Sequence, residues 1–303
     1  MSTKSTGEWL LSHNKYATSH LQGNQKRFKR NAYTVSITSG KGGVGKTSIS
    51  LKMAKEMATN GLKVLLIDCD YNLSNTAVKL GLPVTQNFLN YQNDQKNFED
   101  CLYRDGNFHL FSACNGDLEL FETNFRLDQM IIEILAQQEK NYDYILLDCP
   151  AGLARETLSL NAYSDYRFFV VTPDRSSVTD SYSLMKILSQ KYGVKNNHLV
   201  VNRVSGKSQY SRIVKTLSET TEHFLDIRLG ILGGLPQEEG EVDKFDAILF
   251  KNAGSVFHKR FFQVLNRFTE ESDGAALLEE SAEEMPFVRA QLVGEQDVQR
   301  TVS

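Results

Sequence analysis

Between two apolar segments the chain carries Gly40-Lys41-Gly42-Gly43-Val44-Gly45-Lys46-Thr47, the most informative motif of the sequence. The segment before it, residues 33–39, is apolar and β-branched, which predicts a buried strand. After it, apolar residues recur at helical spacing until Gly61. The stretch satisfies the phosphate-loop pattern G-x-x-x-x-G-K-[ST], in which backbone N–H groups and a helix N-terminus surround a polyphosphate.

The residue types of this loop predict a separate role for each part. The glycines let the backbone approach phosphate oxygens without Cβ atoms in the way. Lys46 is expected to neutralise the β- and γ-phosphate oxygens, and the Thr47 hydroxyl to ligate Mg²⁺. ATP with Mg²⁺ is therefore the predicted ligand. The predicted phosphate-binding residues are Gly40, Lys41, Gly42, Gly43, Val44, Gly45, Lys46, Thr47 and Ser48.

Acidic residues follow two further predicted strands. Asp68 and Asp70 end one strand, and Asp148 ends another. Because ligands of parallel α/β sheets lie beyond the carboxyl ends of the strands, these carboxylates are expected near the phosphates. Asp148 fits a Walker B aspartate, which would hold the water shell of Mg²⁺, and Gly152 could offer its N–H to the γ-phosphate. An alternative is that Asp68 and Asp70 only cap the next helix.

A second lysine in the loop, Lys41, is not required for phosphate binding as such. The run GKGGVGKT resembles the deviant phosphate loop of the MinD/ParA ATPases, where this lysine reaches the nucleotide of a partner subunit. The resemblance implies that Lys41 and Lys46 are catalytic and that activity requires an ATP-dependent homodimer. It also implies that Asp70 orients the attacking water and contributes to the metal site. Asp68 would support that network, and Asn75 would hold the first switch around the nucleotide.

Base recognition is predicted at the end of a later strand. Asn202 and Arg203 resemble the place where MinD/ParA relatives contact adenine. Residues 172–180 look like the family's T-P-E/D-x-x-S-x-x-D stretch at the start of a helix. Ser177 and Asp180 also fit a capping box, so a purely structural role is an alternative for this segment.

The pattern along the chain predicts the fold class. Strands are expected near 33–39, 63–68, 108–113, 143–148, 166–172, 197–202 and 229–235. Helical patterns separate most of them, including those at 125–139, 177–191 and 208–225. Continuous apolar strands that alternate with helices predict one α/β domain of the phosphate-loop NTPase type. Its sheet is expected to be mostly parallel, with about seven or eight strands and helices on both faces.

Charge divides the chain into three parts. Residues 1–32 carry six basic residues against the single acid Glu8, which indicates a basic extension. Residues 33–268 form the predicted ATPase domain. Residues 269–303 are predicted to be an acidic, disordered tail, because seven acids lie between Glu270 and Glu284 without a base among them.

Composition is typical of a cytoplasmic globular enzyme. Of 303 residues, 41% are hydrophobic and 23% charged, with no signal peptide and no apolar run of transmembrane length. The four cysteines lack a C-x-x-C pair, so reduced thiols are expected and the metal-cluster branches of the superfamily are disfavoured. A net charge of −3 does not favour DNA as a partner.

Finer similarities point to the FlhG/FleN branch, the MinD-like ATPases that set flagellar number and position. The supporting stretches are Val35–Gly40, Leu80–Pro83, Thr179–Lys186 and Arg228–Pro236. The resemblance implies a flagellar GTPase, a switch-complex protein or a transcription activator as partner. The branch's N-terminal D-Q-A-x-x-L-R segment has no match in residues 1–32. Two alternatives stay open: an ATPase that positions the chromosome, the division site or another cargo, and a mainly non-catalytic ATP-binding regulator.

An apolar stripe near the C-terminus has two explanations. Its residues are Val256, Phe257, Phe261, Val264, Leu265 and Phe268. In MinD-like proteins a C-terminal amphipathic helix binds phospholipid at the inner face of the cell membrane. Because residues 269–303 still follow it, the favoured explanation is a last core helix with its stripe against the sheet.

Overall fold

The computed structural model describes residues 32–70, 76–83, 87–112, 126–238 and 254–273. The strands are β1 Tyr33–Thr38, β2 Val64–Asp68, β3 Tyr103–Asp105, β4 Phe108–Phe111, β5 Tyr144–Asp148, β6 Tyr166–Val171, β7 Asn197–Val204 and β8 Gly230–Pro236. They form one 8-stranded sheet in the order β3-β4-β2-β5-β1-β6-β7-β8. Neighbouring strands run parallel except β3, which is antiparallel to β4.

The edge strand β3 was not predicted from the sequence. It follows a 3₁₀ turn at Phe98–Cys101 and has only three residues, too few for a period-2 pattern to stand out. Gly106, with φ of 57°, reverses the chain between β3 and β4. This left-handed conformation is one that glycine adopts without strain.

Helices cover both faces of the sheet. They are α1 Lys46–Thr59, α2 Thr76–Lys79, α3 Asn87–Gln92, α4 Leu127–Gln138, α5 Arg155–Tyr163, α6 Arg175–Tyr192, α7 Lys207–Leu225 and α8 Val256–Asp273. On β2, Leu66 packs in the cluster that contains α1 and α8, and the adjacent Leu65 packs in the cluster that contains α4. This alternation buries both faces, and the predicted single α/β domain is confirmed. None of the helices described has the length and apolar character needed to cross a membrane.

The C-terminal stripe belongs to the core. Within α8, the side chains of Phe257, Phe261, Val264, Leu265 and Phe268 are buried, and Val256 is 65% exposed. The Phe268 ring meets the Phe168 ring edge-on at 4.8 Å between centroids. The prediction of a last core helix is confirmed, and a membrane anchor made from this stripe is wrong because these side chains face the sheet. Residues 1–31 and 274–303, assigned to the basic extension and most of the acidic tail, lie outside the described residues.

Candidate nucleotide-binding site

The phosphate loop joins β1 to α1, as the sequence predicts. Gly43 and Gly45 have φ values of 72° and 101°, in the left-handed region that favours glycine. A Cβ atom on Gly40 would lie 2.1 Å from the backbone carbonyl carbon of Asp180. One on Gly45 would lie 2.5 Å from the side-chain nitrogen of Asn202. The loop therefore needs glycine both for its turn and for its close contact with neighbouring segments.

The two lysines of the loop point to different partners. Lys46 is 9% exposed, and its Nζ donates to Ser39 Oγ at 3.2 Å. The Ser39 hydroxyl in turn donates to the Lys41 carbonyl at 2.6 Å. Lys41 instead directs its Nζ to Asp174 Oδ1 at 2.9 Å, near the start of α6. Lys46 is thus held within the loop, and Lys41 is held at its outer side.

Asp68 is a buried carboxylate whose two oxygens both accept hydrogen bonds. Oδ1 accepts from the Asp70 N–H at 3.1 Å, and Oδ2 accepts from Thr76 Oγ1 at 2.5 Å. Thr76 is the first residue of α2. Asp68 thus bonds the first residue of α2 through its hydroxyl and, among the described residues, not through a backbone N–H of the helix, so these bonds tie the strand to α2 without the helix cap that the alternative predicted.

Asp148 is the register partner of Asp68 on the neighbouring strand β5, and its environment differs. Its side chain is 1% exposed, and Oδ1 has no hydrogen-bond partner within the described part of the chain. Burial, and then the charge of Asp68, raise the pKa of Asp148 to about 7 despite the opposing effects of Thr47 and Lys46. The nearby charge of Asp70 also raises this pKa.

A buried carboxylate oxygen without a partner calls for a ligand, because such groups are rare in folded proteins. Mg²⁺ prefers oxygen ligands and takes only a few from the protein, keeping several waters. The Asp148 carboxylate and the adjacent Thr47 hydroxyl supply such oxygens at the end of the phosphate loop. Thr47 and Asp148 therefore fit the predicted metal site. The third predicted metal residue, Asp70, is close enough for its charge to raise the pKa of Asp148.

Two predicted contacts differ in the structure. The Gly152 N–H, expected to face the γ-phosphate, donates to the Ser39 carbonyl at 3.1 Å. A phosphate contact there would have to replace this bond. Asn202, expected to contact adenine, donates from Nδ2 to the Val44 carbonyl at 2.8 Å and accepts the Arg203 N–H at 2.9 Å. Asn202 thus braces the phosphate loop, and its contact with a base stays a prediction, as does that of Arg203.

The cap of α6 is Asp174, and the alternative of a Ser177–Asp180 capping box is wrong. Asp174 Oδ1 accepts the Ser177 N–H at 2.9 Å, and α6 begins at Arg175. Sequence reasoning placed Asp174 only within the family-like stretch 172–180, without a contact of its own, and it gave no role to Ser39. An aspartate just before a helical pattern is a standard capping signal, so Asp174 could have been found. Ser39 carries no such signal.

The comparisons with known proteins agree with this geometry. A family model described as an AAA domain matches residues 32–201. The flagellum site-determining protein YlxH of Helicobacter pylori is 31% identical over 216 residues, which cover 68% of this chain and 70% of YlxH. The chain belongs to the MinD/ParA family of phosphate-loop ATPases.

Two further matches show where in the MinD/ParA family the similarities lie. The antiactivator FleN of Pseudomonas aeruginosa is 27% identical over 206 residues, 68% of this chain and 74% of FleN. A chain of the MinC:MinD cell division protein complex of Aquifex aeolicus superposes with a TM-score of 0.60 and 28% identity. That superposition covers 80% of this chain and 97% of the other. The predicted resemblance to the FlhG/FleN branch is supported by the FleN and YlxH matches.

The remaining predicted residues of the MinD/ParA site can be placed in part. Ser48 is buried in the first turn of α1. Asn75, assigned to the first switch, lies outside the described residues. Cys69 and Cys149 follow the two register-matched aspartates and are buried, and the expectation of reduced cysteines stays a prediction. Burial raises the pKa of Cys69 well above its ordinary value, which makes this thiol a weak nucleophile.

Proposed function

We propose that this protein is a switch ATPase that binds ATP with Mg²⁺, forms a homodimer and hydrolyses the nucleotide slowly. The observation that carries the proposal is the Oδ1 atom of the buried Asp148 carboxylate, which has no hydrogen-bond partner within the described part of the chain and lies beside the phosphate loop. A purely structural loop would gain nothing from a buried carboxylate oxygen without a partner, because such an atom costs stability.

Each group in the site then has a chemical role. The loop N–H groups and Lys46 bind the phosphates, and Thr47 and Asp148 would hold Mg²⁺, which supplies charge stabilisation at the phosphoryl oxygens. Asp70, half-buried at the carboxyl end of β2, orients the attacking water. Lys41 adds a positive charge to the nucleotide of the partner subunit, so hydrolysis depends on dimerisation.

Two relatives support a flagellar role for this switch. YlxH is named a flagellum site-determining protein, and FleN is named an antiactivator. We infer that the ATP-bound dimer regulates the number or placement of flagella through a flagellar GTPase, a switch-complex protein or a transcription activator. We place the protein in the cytoplasm, with contact at the inner face of the cell membrane as part of the same proposal.

A second candidate is the placement of the division site, the chromosome or another cargo. One observation favours it: the sequence match to the septum site-determining protein MinD of Bacillus subtilis covers 91% of that protein, whereas the matches cover 74% of FleN and 70% of YlxH. The nucleotide chemistry would be the same in both cases. Only the partner distinguishes them.

The switch itself is tested with Asp70→Ala. Without the residue that orients water, the variant should accumulate as an ATP-bound dimer, which multi-angle light scattering detects. Lys46→Ala is the matched control, because it should remain a monomer at the same ATP concentration. An Asp70→Ala protein that stays monomeric with ATP and Mg²⁺ would contradict the role of Asp70.

The cargo is tested with the same pair of variants as baits in lysate from the native host. Proteins captured by Asp70→Ala with ATP but not by Lys46→Ala are identified by mass spectrometry. Capture of a flagellar GTPase, switch-complex protein or flagellar transcription activator supports the flagellar role. Capture of division or partition proteins instead would overturn it in favour of the second candidate.

A further inference from the structure

Lys41 is engaged within its own chain. Its Nζ lies 2.9 Å from Asp174 Oδ1, and both side chains are 43% exposed. The proposed function requires the same ammonium group to reach the nucleotide of a second subunit. One amine on one side chain cannot occupy both places, so the contact with Asp174 must break when the dimer forms.

Asp174 is fixed in place on α6. Its Oδ2 accepts from Thr172 Oγ1 at 2.6 Å, and its Oδ1 accepts from Ser176 Oγ at 2.7 Å and from the Ser177 N–H at 2.9 Å. Partial burial raises the pKa of Asp174, but the hydrogen bonds from Thr172, Lys41, Ser176 and Ser177 outweigh it and hold the pKa well below its usual range. The carboxylate therefore stays charged and cannot follow Lys41 toward a partner.

The phosphate loop is docked on the same part of α6. The Gly40 N–H donates to Ser181 Oγ at 3.4 Å, and the Gly40 Cα lies so close to the Asp180 backbone that a Cβ would overlap it. Lys41 is the next residue, and its own carbonyl is bonded to Ser39. Both partners of the ion pair are thus held by their surroundings, which reduces the entropy lost in forming the pair.

We propose that Asp174 is a positioning residue that holds Lys41 in cis and thereby sets the threshold for nucleotide-dependent dimerisation. The proposal rests on the proposed function, because it assumes that Lys41 acts in trans. Two such pairs break for each dimer that forms, one in each subunit. Removing the negative charge of Asp174 should therefore favour the dimer.

The test uses Asp174→Asn, which keeps the shape of the side chain and an oxygen to accept the Ser177 N–H. The matched control is Asp226→Asn, which removes the charge from another exposed lysine–aspartate pair, Lys195–Asp226 at 2.8 Å. The dimer dissociation constant is measured by sedimentation velocity with the full chain, Mg²⁺ and the non-hydrolysable analogue AMPPNP.

We expect Asp174→Asn to tighten the dimer by a factor of ~2 to 20, because exposed ion pairs contribute modestly and two are lost. Asp226→Asn should leave the dissociation constant unchanged. Nucleotide affinity of the monomer, measured at high dilution, should also be unchanged, whereas a merely structural role of Asp174 would weaken it. Asp174→Glu, which restores the charge, should return the dimer toward the wild-type constant.

A double variant, Lys41→Ala with Asp174→Asn, shows whether Asp174 acts through Lys41. If Asp174 acts through Lys41, adding Asp174→Asn to Lys41→Ala should change the dimer constant no further. A wild-type protein that dimerises, with Asp174→Asn dimerising equally or less well, overturns the role of Asp174 and leaves the proposed function intact. A wild-type protein that never dimerises with AMPPNP overturns the proposed function and this inference together.

Discussion

The carboxyl ends of β2 and β5 carry the same dipeptide in register, yet the two ends differ in chemistry. Asp68-Cys69 and Asp148-Cys149 stand side by side on neighbouring parallel strands. Asp68 accepts hydrogen bonds at both oxygens, whereas Asp148 Oδ1 has no partner in the described structure. Identical local sequence and matched register therefore do not decide the role of either residue.

The residue two positions after each aspartate explains why Asp68 Oδ1 has a partner and Asp148 Oδ1 does not. Asp68 Oδ1 accepts the N–H of the residue two positions later, Asp70. The corresponding position after Asp148 is Pro150, which has no N–H to donate. The chain thus satisfies one carboxylate locally and leaves the other available. Asp68 shapes the polypeptide, and Asp148 is the residue that a metal ion would complete.

The largest effect is expected from Lys46→Ala, which removes the buried cation of the phosphate loop, whose charge also acts on Asp148. Nucleotide affinity should fall by ~100-fold or more, because several charge-assisted hydrogen bonds to phosphate are lost. Isothermal titration with ATP and Mg²⁺ measures it, with the exposed Lys63→Ala as control. ATP binding of wild-type strength in Lys46→Ala would contradict the assignment of the site.

Asp148→Asn removes the charge of the carboxylate at the end of β5. The Mg²⁺ concentration needed for half-maximal ATP binding should rise by ~10-fold or more, since a neutral amide is a poorer metal ligand than a carboxylate.

Without nucleotide, the Asp148→Asn protein should be more stable than the wild-type protein at pH 8. A raised pKa means that ionising Asp148 costs folding free energy, and this cost grows as pH rises from 3.8 to about 7. Urea unfolding should show a gain of ~1–3 kcal/mol, and a loss of stability would contradict a net cost of ionising Asp148 in the folded protein.

Asp68→Asn removes the charge of the carboxylate at the end of β2, and it should destabilise the protein where Asp148→Asn stabilises it. The loss of charge-assisted bonds from Asp70 and Thr76 should lower the free energy of unfolding by ~1–3 kcal/mol. It should also lower the pKa of Asp148, because the charge of Asp68 is one cause of its elevation. Urea unfolding at pH 8 compares the two variants directly. If both variants changed the free energy of unfolding by the same amount and in the same direction, the two carboxylates would not have different roles.

The smallest effect is expected from Pro150→Ala, which gives β5 the backbone N–H that β2 already has. Mg²⁺ binds the deprotonated carboxylate, so Mg²⁺-dependent ATP affinity should rise as pH increases through about 7 in the wild-type protein. A new hydrogen bond to the charged form should lower this midpoint by roughly half to one pH unit. Titration of ATP affinity between pH 5.5 and pH 8.5, at fixed Mg²⁺, measures both midpoints, and coincident midpoints would show that Pro150 is not the cause.

The parts predicted from the sequence are those encoded over short distances. The glycine-rich loop, the apolar strands and the stripe of α8 each lie within one element, where motif and periodicity suffice. The contacts that escaped prediction join distant positions. Lys41 meets Asp174 at a separation of 133 residues, and Asn202 meets Val44 at a separation of 158. Such contacts depend on which strands become neighbours, and motif and periodicity within single elements do not give that order.

The placement of α8 has a consequence for synthesis of the protein. Phe257, Phe261 and Phe268 lie in the same buried cluster as Ile49 and Met53 of α1, the helix that begins at the phosphate loop. On the ribosome, α1 is made first and α8 is made more than 200 residues later. The part of this cluster that α8 covers therefore stays exposed until α8 is made. Until α8 is made, we expect this exposed surface to favour aggregation of the nascent chain.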